Sequence, residues 1–164
     1  MHTHDSLPKT LKYLAPRGSK EEGEKMQGII QILEAGDQVM RTLRSQLARE
    51  GLTAEGFQAL AALADLPEVA PLSDLVAVVD TPRALLSETL TRLEYSGLIQ
   101  RQRGEVDRRM VRVRMTPAGR KAIDHARALV QHSIKAMVGD IDEEALRDFT
   151  ARCATLIKSA QAVT

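Results

Sequence analysis

The chain has 164 residues, 43% apolar and only 2% aromatic, with a formal net charge of +1, so it suits one ordinary domain with an aliphatic core. A single cysteine, Cys153, excludes an internal disulfide or a cysteine metal cluster. No apolar run nears the ~20 residues of a membrane span and the N-terminus lacks a signal-peptide core, so a soluble cytoplasmic protein is expected. The charge is unevenly placed: residues 1–80 carry 8 basic and 12 acidic side chains, residues 81–121 carry 10 and 4, and residues 122–164 carry 5 and 6. A basic block in an otherwise balanced chain points to an anionic partner at one region.

Residues 1–23 are polar, contain Pro8, Pro16 and Gly18, and are expected to form a flexible arm. Residues 24–50 read as a helix in which Met26, Leu33, Met40 and Leu47 recur every seven positions, with Gly51 as its stop. Thr53 can cap a second helix carrying Phe57, Leu60 and Leu63, and a short helix over Leu72–Val79 follows. Asp80-Thr81-Pro82 is a start signal: Thr81 as cap, Pro82 at the first helical position, where no N–H is needed. That helix should run to Gly97, burying Leu86, Leu90 and Leu93 and presenting Arg83, Ala84, Ser87 and Thr91 on its other face. Glu88 and Arg92 are four apart, as a helix-surface pair requires.

Leu98–Arg103 and Met110–Thr116 read as two strands of a hairpin whose tip is Gly104 to Arg109. In the second strand Val111, Val113 and Met115 alternate with Arg112 and Arg114, one face apolar and one charged. Thr116-Pro117 repeats the start signal for a helix bearing Ile123, Ala126, Val130, Ile134 and Met137, ending at Gly139. Asp142 can cap a last helix with an apolar stripe of Leu146, Phe149, Cys153, Leu156 and Ile157.

The middle of the chain is thus helix, short helix, helix and hairpin, the order of a winged helix-turn-helix. The fold expected is mainly α with a small β-hairpin wing. The winged helix-turn-helix, residues 52–116, is flanked by dimerisation helices at residues 24–50 and 117–164. A recognition helix enters the major groove by its N-terminal residues, which makes Thr81, Arg83, Ala84, Ser87 and Thr91 candidate double-stranded DNA contacts. Arg101, Arg103, Arg108, Arg109 and Arg112 put positive charge along the hairpin, whose thin tip suits a narrow minor groove. Asp107, acidic at that surface, makes sense as an anchor that orients a neighbouring arginine. Met26, Leu33, Met40, Leu146, Phe149, Leu156 and Ile157 need a partner surface, and a second copy of the chain supplies one by two-fold symmetry.

The stretches "LTRLEYSGLIQR" at 90–101 and "DRRMVRVRMTPAGR" at 107–120, with Leu52-Thr53, Phe57 and Leu60, resemble the multiple antibiotic resistance regulator (MarR) family. The resemblance implies a homodimeric, ligand-responsive DNA-binding regulator; a repressor controlled by a small-molecule effector is the leading reading, and two-fold symmetry predicts an inverted-repeat operator. It also implies that Arg109 reaches the minor groove while Asp107 positions the wing. An effector in such a protein is expected between the dimer helices and the DNA module.

Two other readings stay open: a winged-helix module that binds protein, and a redox regulator built on Cys153. Cys153 lies on an apolar stripe, which favours an inert buried thiol. Neither an enzyme nor a metal or cofactor site is expected. There is no nucleophile motif and no Gly-rich phosphate loop. His125 and His132 are seven apart on one helix, and His2 and His4 fall in the arm.

Overall fold

The computed structural model describes residues 19–103 and 110–163; the Arg103 side chain lies outside it. In chain order come α1 (Lys20–Arg49), α2 (Ala54–Asp65), β1 (Ala70–Pro71), α3 (Leu72–Val78), α4 (Arg83–Tyr95), β2 (Ile99–Arg103), β3 (Val111–Met115), α5 (Pro117–Val138) and α6 (Glu143–Gln161). None of these helices is long and apolar enough to cross a membrane. The wing is a three-stranded antiparallel sheet of order β1-β3-β2.

Helix α1 begins at Lys20, inside the segment expected to be a flexible arm over residues 1–23. A capping box fixes its start: Ser19 Oγ accepts from the Glu22 N–H at 3.3 Å, and Glu22 Oε2 accepts from the Ser19 N–H at 2.7 Å. Its end is a Schellman motif. Gly51 sits at φ 70, the Leu52 N–H donates to the Leu47 carbonyl at 3.0 Å, and the Gly51 N–H to that of Ala48 at 3.1 Å. The same device ends α4, where Gly97 sits at φ 71 and the N–H groups of Leu98 and Gly97 donate to the carbonyls of Leu93 and Glu94, both at 2.9 Å. Both glycines are held in the left-handed region that other residues rarely adopt.

The chain divides into two compact units, residues 1–126 and 127–164, with the boundary inside α5. That boundary lies beyond Thr116-Pro117, where the wing meets α5. The cause is burial: Ile123 and Ala126, in the first half of α5, are fully enclosed in the first unit. The core of this unit joins Leu60 and Leu63 of α2, Leu75 of α3, Leu86, Leu90 and Leu93 of α4, Ile99 of β2 and Val113 of β3. The apolar stripe of α4 is therefore the one its spacing predicts. Leu47 is buried as well, so the last member of the seven-residue repeat on α1 packs inside the chain.

The second unit holds the end of α5 and all of α6. Asp142 caps α6, accepting from the N–H groups of Glu144 at 2.9 Å and Ala145 at 3.2 Å. No residue of α6 is buried. Phe149 and Ile157 are more than half exposed, while Leu146, Cys153 and Leu156 are half-buried. Cys153, expected within packed apolar surroundings, is therefore a half-buried free thiol in the single chain, because its stripe has no covering surface there.

Candidate nucleic-acid interface

Helix α4 turns one face inward and one outward. Leu86, Thr89, Leu90 and Leu93 are buried, whereas Arg83, Ala84, Ser87 and Thr91 are exposed. These four are the residues that sequence spacing placed on the outer face, and the structure brings them together there. Glu88 and Arg92 form the expected ion pair along the same helix.

The start of α4 departs from the sequence expectation. Arg83 is the first helical residue, Pro82 occupies the cap position, and no side chain caps the helix. Thr81 is turned elsewhere: its Oγ1 donates to Gln58 Oε1 on α2 at 3.0 Å. Thr81 therefore pins the turn onto α2 instead of capping α4. By contrast Ser19, Thr53, Thr116 and Asp142 cap α1, α2, α5 and α6. The positive end of the α4 dipole is left facing outward beside Arg83, the electrostatics an approaching phosphate prefers.

The wing is built on β3. Val113 is fully buried and pairs with Ala70 of β1 and Arg101 of β2, while Arg112 is exposed. Arg114, half-buried, donates through Nε to Gln100 Oε1 at 2.9 Å on the neighbouring strand. Strand β1 is missing from the sequence reading: two residues, one of them Pro71, show no alternation. Arg103 pairs with Val111 through its backbone. Asp107, Arg108 and Arg109, the expected tip, lie outside the described residues, as do His2 and His4.

Arg101, expected as a DNA contact, also has a partner within the chain. Its backbone N–H donates to Glu94 Oε1 at 2.9 Å and its Nε to Glu94 Oε2 at 2.8 Å, with Nη2 at 2.6 Å from the same oxygen. Nη2 also donates to Thr91 Oγ1 at 3.3 Å, and Thr91 Oγ1 donates to the Ser87 carbonyl at 2.9 Å. Side-chain and backbone hydrogen bonds from Arg101 hold the Glu94 carboxyl below the usual carboxylate range. The interaction that depends on ionised Glu94 is thus intact above the ordinary carboxylate range and is lost as pH falls through the lowered value. Sequence reasoning missed Glu94; its signal was a pair seven residues apart across a helix–turn–strand junction.

The base of the wing is locked by Thr116. Its Oγ1 lies 2.7 Å from the Gly97 carbonyl and 3.1 Å from that of Leu98, and accepts from the Gly119 N–H at 3.0 Å. The Thr-Pro start signal holds here because the strand end places Thr116 at the cap. Between α3, α4 and β3 lies a cleft of about 470 Å³ whose walls include Leu72, Val76, Arg83, Ser87, Arg101 and Met110. His125 Nδ1 is 2.8 Å from Glu50 Oε2, tying α5 to the end of α1, and His132 is exposed. Among the described residues no three His, Cys, Asp or Glu side chains are grouped to hold a metal.

Comparison with known proteins fits this geometry. The MarR family model matches residues 52–111, from the end of α1 to the start of β3. The uncharacterised helix-turn-helix-type transcriptional regulator YdgJ of Bacillus subtilis is 30% identical over 93 residues. That match spans 55% of this chain and 57% of the relative, so the chain aligns with little more than half of that protein. Among solved structures, the organohalide-sensing regulator RdhR-CbdbA1625 in its 2,4-dichlorophenol-bound form superposes with a TM-score of 0.71 at 18% identity, covering 90% of this chain and 89% of that one. A cysteine-to-serine variant of MarR from E. coli in complex with operator DNA gives a TM-score of 0.65 at 19% identity, covering 84% of this chain and 99% of that one. Residues 52–111, with the exposed face of α4 and the hairpin behind it, are thus similar to the MarR family, and the chain shares the winged helix-turn-helix fold of the solved structures it matches.

Proposed function

We propose that the protein is a sequence-specific double-stranded DNA-binding transcription regulator. In this reading it acts as a homodimeric repressor on an inverted-repeat operator and is released by a small-molecule effector. The observation that carries it is the outer face of α4: Arg83, Ala84, Ser87 and Thr91 exposed together, at an uncapped helix N-terminus, beside an arginine-bearing wing. Arg83 suits a guanine edge and Ser87 can donate or accept one turn on, while the wing arginines suit the backbone and the minor groove.

The dimer reading is supported by apolar side chains without cover. Leu33, Met40, Phe149 and Ile157 are each at least 37% exposed, and a second copy of the chain would cover them. Two recognition helices related by a two-fold axis would read half-sites about 10 base pairs apart, centre to centre. Effector control is carried over from the organohalide-sensing relative, which binds 2,4-dichlorophenol. The cleft between α3, α4 and β3 offers one place for such control, because an occupant there would touch Arg83 and Ser87 and compete with DNA for them.

The test is fluorescence anisotropy of the full chain on a duplex from upstream of its own gene, across a salt series. A steep fall of affinity with salt, together with preference for one inverted repeat over scrambled duplex, is expected. Absence of duplex binding at low salt would remove the DNA-binding reading and leave the winged helix as a protein-binding module.

A further inference from the structure

Glu94 occupies an unfavourable place for an acid. It lies in the last turn of α4, where the helix dipole is negative and basic residues are preferred. It also faces the strand expected to approach DNA. Yet it takes three close contacts from one residue of β2: the Arg101 N–H at 2.9 Å, its Nε at 2.8 Å and its Nη2 at 2.6 Å. Arg101 continues to Thr91, and Thr91 to the Ser87 carbonyl. A single hydrogen-bonded chain thus runs from the base of the wing along α4 to a residue of its DNA-facing surface. The Arg101 side chain is 27% exposed and that of Glu94 36%, so the pair is partly withdrawn from solvent.

We propose that Glu94 is a positioning residue for DNA binding: it clamps Arg101, and through it the wing, at a fixed angle to the recognition helix. This rests on the DNA-binding reading above. It takes Arg101 out of the set of phosphate ligands and makes it the wing's attachment. The gain is pre-organisation, because a wing already held at the spacing of the groove loses less freedom on binding. A fork-shaped guanidinium suits this role, since it can hold one carboxylate while reaching a second partner.

The experiment is a set of variants on the operator duplex, with thermal unfolding as a check on fold. Glu94→Gln removes a negative charge from a DNA-facing surface, yet it should weaken binding by roughly five- to twentyfold and make the salt dependence shallower as wing arginines leave the backbone. Arg101→Lys, which can keep the ion pair but not the forked contact to Thr91, should recover only part of the affinity lost in Arg101→Gln. In an Arg109→Ala background, where the wing tip is already disabled, Glu94→Gln should add little, a non-additivity that a purely structural role would not produce. Tighter or unchanged binding by Glu94→Gln, with wild type binding normally, overturns the clamp and returns Arg101 to the phosphate set. A full additional loss in the Arg109→Ala background also overturns it. A wild-type protein that fails to bind duplex overturns the DNA-binding reading itself, which keeps the two failures apart.

Discussion

Replacing Gly119 by alanine would put a methyl carbon 2.0 Å from the Leu98 carbonyl oxygen and 2.8 Å from Met115 Cγ. Ordinary contact begins near 3.4 Å, so the first approach is about 1.4 Å too close. Met115 can turn aside, but Leu98 O is backbone and accepts from both the Thr116 N–H at 3.0 Å and Thr116 Oγ1 at 3.1 Å. Moving it strains the junction where the wing meets α5. Overpacking of this kind costs about 1–3 kcal/mol, and each hydrogen bond disturbed adds about 0.5–1.5 kcal/mol. Alanine returns about 1 kcal/mol in helix propensity. The balance is a net destabilisation of about 1–5 kcal/mol, a large share of the roughly 5–15 kcal/mol that holds a domain folded. Urea unfolding at one fixed protein concentration should show a lower midpoint with an unchanged slope. Gly28→Ala in α1, where a methyl group meets nothing within 4 Å in the chain, provides the contrast and should not destabilise. A Gly119→Ala protein as stable as wild type, or more so, would show that the close approach to Leu98 does not exist.

Three further outcomes are expected. Arg83→Ala should relax base preference at one position per half-site, by about 1–3 kcal/mol of discrimination; an unchanged preference in a duplex selection would take Arg83 out of the readout. Arg109→Ala should weaken binding to every duplex and reduce the salt slope by about 1, and Asp107→Ala should weaken it too; tighter binding by Asp107→Ala would mean that the aspartate acts only by repulsion. Leu156→Asp should place an uncompensated charge on the apolar stripe of α6 and yield monomer or unfolded protein, whereas sedimentation of wild type as a monomer at micromolar concentration would refute the dimer.

What could be seen in the sequence was whatever depends on residues close in the chain. The stripe of Leu86, Leu90 and Leu93, the exposed set from Arg83 to Thr91, and the caps Thr53, Thr116 and Asp142 each follow from spacing or from a local hydrogen bond. Ser19-Lys20-Glu21-Glu22 was also a readable capping signal, obscured by the Pro16, Gly18 and Gly23 around it. What could not be seen depended on contacts between distant elements. Thr81 looks like a cap by every local rule, but Gln58, on the other side of the turn, holds its hydroxyl. Gly119 looks like an ordinary weak helix residue until Leu98 O is found against it. The short strand β1 exists only because Ala70 and Pro71 have Val113 and Arg112 to pair with.

The same distinction bears on how arginines are counted along the wing. Sequence alone puts Arg101, Arg103, Arg108, Arg109 and Arg112 along the hairpin as candidate DNA contacts. Arg101 is already matched by a carboxylate, so DNA would have to displace Glu94 to use it. Arg114 is steadied by Gln100, a neutral partner that leaves its charge available. Arg112, exposed on the same strand, carries charge outward. Charge density along a strand therefore overstates the number of counterions that binding can release. The salt slope, at roughly 0.9 per neutralised phosphate, should count the contributing cations and leave Arg101 out. On the clamp proposed above, an internal carboxylate gives part of the positive charge a mechanical role, in which one arginine of the hairpin would fix the angle at which the others meet the duplex.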